Sequence, residues 1–62
     1  MIGENIRAAR LAAGLTQKEL AAKVGIPYQT LQRWEYGTFS PNMDNLIKLA
    51  SALGISVEEL VK

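Results

Sequence analysis

Positions 28–36 read Tyr28-Gln29-Thr30-Leu31-Gln32-Arg33-Trp34-Glu35-Tyr36, and much of the chain's capacity for specific polar chemistry lies there. On a helical wheel at about 100° per residue, Leu31 and Trp34 fall on one side, while Tyr28, Gln29, Gln32, Arg33 and Tyr36 share an arc of about 140° on the other. That arc holds amides, a guanidinium and phenols, and no carboxylate. Glutamine can make two bonds to adenine, arginine can grip O6 and N7 of guanine, and a tyrosine ring can meet a thymine methyl or a phosphate. A merely solvated face would mix signs and favour Lys and Glu. This one has the groups of a surface that reads base edges.

Bond-making chemistry finds no comparable support. The chain has no His and no Cys, so the usual zinc ligand sets and a disulfide framework are both missing. No Ser sits in a nucleophile elbow, no spaced carboxylate pair suggests a closed site, and no phosphate loop is present. The expectation is a non-enzyme without catalytic residues, metal, cofactor or small-molecule substrate.

The reading helix has to be positioned by a small fold. Sixty-two residues make one domain, expected over 1–62, and so short a chain buries only about 60 % of the surface it exposes when unfolded. With 48 % apolar residues it is a folding sequence, not a disordered tail. No stretch approaches the ~20 apolar residues needed to span a membrane and no secretory pattern opens the chain, so a cytoplasmic protein is expected. The net charge of +1 would not by itself suggest a nucleic-acid partner.

Helix ends are marked clearly. Gly14, Gly25, Gly37 and Gly54 each follow an apolar helical pattern, where a left-handed residue is wanted after the last turn. Thr16 with Glu19 reads as a capping box with Leu15 and Leu20 as its staple, and Ser56 with Glu59 repeats the device. Asn42 is an N-cap with Asp44 in the first turn, and Pro41 stops any helix from running through. The spacing predicts helices near 2–13 and over 17–24, 27–36, 43–53 and 57–61: an all-α, compact five-helix bundle with a helix-turn-helix and no strands. Apolar stripes comprise Ile2, Ile6, Ala9 and Ala13; Leu20, Ala21 and Val24; Leu46, Leu49, Ala50 and Leu53; and Val57, Leu60 and Val61. The second and third helices meet across Gly25 with almost no linker, so neither can bury its apolar face on the other alone. Ala21 is small where a larger side chain would wedge the pair apart, and Leu20, Val24, Ile26, Leu31 and Trp34 are expected to form their joint core.

Taken whole, the chain resembles the DNA-binding domain of the lambdoid phage repressor and Cro family, also called the xenobiotic-response-element family. The resemblance is carried by L-T-Q-K-E-L-A-A-K-V-G-I, L-Q-R-W-E-Y-G and L-I-K-L-A-S-A-L-G-I-S-V-E-E-L. It implies a five-helix bundle that binds operator DNA as a symmetric dimer. By resemblance, Gln17 contacts phosphate and braces the recognition helix; Tyr28, Gln29 and Arg33 read bases, to which the arc adds Gln32; Thr30 and Tyr36 touch the DNA backbone. Arg10 and Glu35 match a family ion pair tying the first helix to the third, although by position alone they could be two unrelated surface charges. The chain departs from the family in three features: Pro27 replaces a Ser or Thr N-cap, Thr38-Phe39-Ser40 replaces a basic loop, and Tyr36 replaces a small or basic residue. Those departures leave Lys18, Lys23 and Arg33 as the cations expected to face DNA, with Lys18 on the backbone.

The function expected is sequence-specific binding of double-stranded DNA by a transcriptional regulator, a repressor, with the helix over 27–36 in the major groove. A weak homodimer on a pseudo-palindromic operator is expected, self-associating through Phe39 and the region of Ile55 and Val57. The alternative is a protein-binding helix-turn-helix module, such as an antitoxin or bridging factor.

Overall fold

A computed structural model describes residues 1–62 as five helices: α1 (Ile2–Ala12), α2 (Gln17–Val24), α3 (Tyr28–Tyr36), α4 (Met43–Leu53) and α5 (Val57–Val61). Their order in space is a ring in which α1 packs on α3, α3 on α2, α2 on α4, α4 on α5 and α5 back on α1. Each helix sends one side chain fully into the centre: Ile6, Leu20, Leu31, Leu49 and Leu60. Each such burial stabilises the fold by about 1.5–3 kcal/mol, before conformational entropy is subtracted. Ala21, Trp34, Leu46 and Ala50 complete the core.

The ends form as the caps demand. Thr16 Oγ1 accepts from Glu19 N at 3.1 Å while Thr16 N donates to Glu19 Oε1 at 2.8 Å. Asn42 Oδ1 accepts from Asn45 N at 2.9 Å, and Ser56 N donates to Glu59 Oε2 at 3.2 Å. Four helices close alike, the residue after each glycine donating to the carbonyl five positions back: Leu15 to Arg10, Ile26 to Ala21, Thr38 to Arg33 and Ile55 to Ala50, all at 3.0–3.1 Å. This closure needs a left-handed residue in the turn, and Gly25, at φ +83°, lets α2 reverse into α3 through only three residues.

Several edges of the predicted pattern move. Helix α1 stops at Ala12, so Ala13 is an exposed C-cap, not part of the core stripe. Helix α3 begins at Tyr28, with Pro27 as an extended N-cap that makes no side-chain bond. On the short α5 only Leu60 reaches the centre, and its neighbour Val61 is turned outward and exposed. Ile55 and Val57 pack on the rim of the core, each partly exposed.

Candidate nucleic-acid interface

Helix α3 is seated from both sides, leaving its third side free. Leu31 and Trp34 bury its inner face, and α1 crosses its last turn closely. A Cβ at Gly3 would lie 2.5 Å from the Trp34 carbonyl oxygen and 2.7 Å from that of Glu35, so only glycine permits this approach of the two backbones. One turn and two turns further along α1 come Arg7 and Arg10.

Arg10 carries the polar part of the joint. Its Nε donates to Glu35 Oε2 at 2.8 Å and its Nη2 to Glu35 Oε1 at 3.1 Å, while Nη1 donates to the Leu15 carbonyl at 2.9 Å. The Arg10 and Glu35 side chains are only 9 % and 4 % exposed. Gln17, at the first turn of α2, adds a bond from Nε2 to Glu35 Oε1 at 3.1 Å. One carboxylate on α3 therefore gathers donors from α1 and α2, and no buried side-chain polar atom is left without a partner. The alignment of α3 is set by charge-assisted bonds as well as by apolar packing.

On the free side, Gln29, Arg33 and Tyr36 are exposed, and Tyr28, Thr30 and Gln32 are half-buried. Gln32 Nε2 donates to the Tyr28 hydroxyl at 2.9 Å, which leaves the amide oxygen of Gln32 and the phenolic proton of Tyr28 for a ligand. The two edges of the arc are both cationic. Lys18 Nζ stands 5.5 Å from the centre of the Tyr28 ring, and the Arg33 guanidinium 5.7 Å from that of Phe39. Neither cation has a carboxylate partner. Thr30 borders a shallow hollow with Arg33, Trp34 and Phe39.

A more polar hollow opens beside the last turn of α3, lined by Arg7, Arg10, Gln17, Glu35 and Tyr36. Arg10 and Glu35 neutralise one another there, so Arg7 leaves the hollow with one uncompensated positive charge. No sequence motif marks Arg7. The spacing Gly3–Arg7–Arg10, at i, i+4 and i+7 on one helix face, is the signal that places it beside α3. Lys23 is not brought to this face: it lines a separate hollow with Ile47 and Lys48 of α4, because it lies about 140° around α2 from Lys18. In the capping box of α2, Glu19 is held below the usual glutamate range by its bonds to Thr16, the backbone amide first and the side chain second.

The helix-turn-helix family profile matches residues 6–60. The transcriptional repressor RstR of a cryptic phage CTXphi in Vibrio cholerae is 39 % identical over 59 residues, covering 95 % of this chain and 53 % of the relative. The chain thus spans about half the length of that protein. The DNA-binding domain of the P22 C2 repressor, solved in solution, superposes with a TM-score of 0.95 at 35 % identity over 100 % of this chain and 82 % of that one. The P22 c2 repressor in complex with a synthetic operator superposes with a TM-score of 0.89 at 35 % identity, covering 97 % of this chain and 91 % of that one.

Proposed function

The chain belongs to the helix-turn-helix family of phage-repressor-like domains, and from that premise we propose that residues 1–62 act as one unit that binds double-stranded DNA with α3 in the major groove. The unit serves as a sequence-specific transcriptional regulator, a repressor, working in the cytoplasm. The observation that carries this reading is the free face of α3: a carboxylate-free arc of Gln, Tyr and Arg, bordered by Lys18 and Arg33, on a helix pinned through Glu35. The operator complex of the P22 c2 repressor, a protein of the same fold, supports it.

Within this reading Gln29 and Arg33 reach base edges farthest, with Tyr28 and Gln32 acting as a hydrogen-bonded pair beside them. Gln17, Lys18, Thr30 and Tyr36 meet the sugar-phosphate backbone, and Arg7 joins them through the polar hollow it shares with Gln17 and Tyr36. The protein binds DNA and does not turn it over.

A helix as short as α3 reads too few base pairs for useful selectivity in a genome, so two copies are assigned to a pseudo-palindrome with half-sites about 34–36 Å apart. A protein-binding module is the competing reading, favoured by the exposed Met43 and Ile47, one turn apart on α4. Selection from a random duplex pool separates the two. Enrichment of a two-fold symmetric site supports the proposal, and no enrichment, with binding indifferent to salt, contradicts it.

A further inference from the structure

We propose that Phe39 is a positioning residue for Arg33: its ring holds the guanidinium in one orientation and so sharpens base preference at the position Arg33 reads. The inference rests on the reading of Arg33 as a base contact.

The geometry is local and closed on itself. Phe39 belongs to the loop after Gly37, and it is 59 % exposed, too open to be chiefly a core residue. Its ring centre lies 5.7 Å from the Arg33 guanidinium, within the range at which a cation is attracted to an aromatic face. The loop that presents the ring is tied to the same residue: Thr38 N donates to the Arg33 carbonyl at 3.0 Å and Phe39 N to that carbonyl at 3.4 Å. Arg33 thereby anchors through its backbone the loop that cradles its side chain. The ring also borders, with Thr30 and Trp34, the hollow beside the guanidinium, which limits the directions in which the arginine can swing.

A free arginine side chain must give up much of its rotamer freedom when it forms the two parallel bonds to guanine. Seating it on a ring beforehand removes part of that loss, and the planar guanidinium can stack on an aromatic face while its edge still donates. The loop lacks the basic residues that would hold phosphate, and the aromatic ring at Phe39 orders a reader in place of adding an anchor. The effect falls on discrimination between bases, because the charge that attracts any duplex is unchanged.

The test compares base preference at each position of the selected site for the full chain and for Phe39→Leu, Phe39→Trp and Arg33→Ala, with affinity for random duplex measured beside it. Arg33→Ala should relax the choice at one base pair. Phe39→Leu should weaken preference at that same pair by about two- to fivefold, the size of an exposed cation–ring contact, with random-duplex affinity and far-ultraviolet helicity unchanged. Phe39→Trp should keep or strengthen it, since indole offers the better face. If Arg33→Ala relaxes a position and Phe39→Leu leaves it unaltered, the role of Phe39 is overturned alone. If Arg33→Ala relaxes no position, the base contact and the role of Phe39 fall together.

Discussion

Arg10 and Glu35, 25 positions apart in the chain, meet through two parallel hydrogen bonds of 2.8 and 3.1 Å, and both side chains are nearly withdrawn from solvent. Removing one partner of such a pair strands a buried charge and costs about 3–5 kcal/mol. That is comparable with the whole margin a core this small supplies, about 3–5 kcal/mol. Arg10→Met and Glu35→Leu should each leave the chain mostly unfolded at room temperature. The double variant should recover much of the loss, though not all, because the Leu15 carbonyl and the Gln17 amide lose their partners. Urea midpoints in stabilising sulfate give the cycle, and a coupling within a few tenths of a kcal/mol of zero would contradict this role.

Gly3→Ala tests whether the backbone approach of α1 to α3 is as close as the geometry requires. Helix propensity alone would make alanine better by about 1 kcal/mol. The added Cβ meets two backbone oxygens that cannot swing aside, so the variant should instead be less stable by about 1–3 kcal/mol, the usual cost of overpacking. Ala8→Gly, on the exposed side of the same helix, should show the ordinary propensity cost. A Gly3→Ala variant more stable than the parent would show that the helices are not so near.

The Thr16–Glu19 box makes helix α2 sensitive to acid. Its bonds hold Glu19 below the usual carboxylate range, so the unfolded chain takes up this proton at higher pH than the folded one. The stabilisation is therefore complete above the ordinary glutamate value and is lost as pH falls through the lowered one. The stability difference between the parent and Glu19→Gln should shrink as pH drops from neutrality to about 3. A difference constant across that range would show that the Glu19 charge does not support the box.

Arg7 tests the polar hollow. Arg7→Ala should weaken cognate and random duplex alike and reduce the salt slope by about 0.9, with little change in stability because the residue is exposed. Lys23→Ala, on the side facing α4, should leave both quantities near the parent. The reverse pattern would mean that DNA approaches another face.

What is legible in the sequence is local. Capping boxes, glycines and apolar spacing identify five helices because each signal acts within one turn of the residue that carries it. The arc on α3 is visible for the same reason, since one helix places its members. Relations between helices are not visible. Gly3 in an otherwise helical run is a small local penalty whose reason lies 31 residues away at Trp34. Asn5, which donates to the Leu60 and Lys62 carbonyls at 2.9 and 2.8 Å and closes α5 against α1, has no signature at all. Lys23 is a DNA candidate by its charge alone, because the sequence gives the charge and the fold gives its direction. Phe39 reads as an interface residue in the sequence, where nothing shows its ring against Arg33.

In the proposed binding mode Arg33 of α3 reads bases and Lys18 of α2 anchors the DNA backbone, and Arg33→Ala against Lys18→Ala, on selected and random duplex across a salt series, measures this most directly. Arg33→Ala should cost about 1–3 kcal/mol at the selected site and relax one base position. Lys18→Ala should weaken both duplexes equally and lower the salt slope by about one unit. If Arg33→Ala left specificity intact while Lys18→Ala changed it, the orientation assigned to α3 on DNA would be wrong.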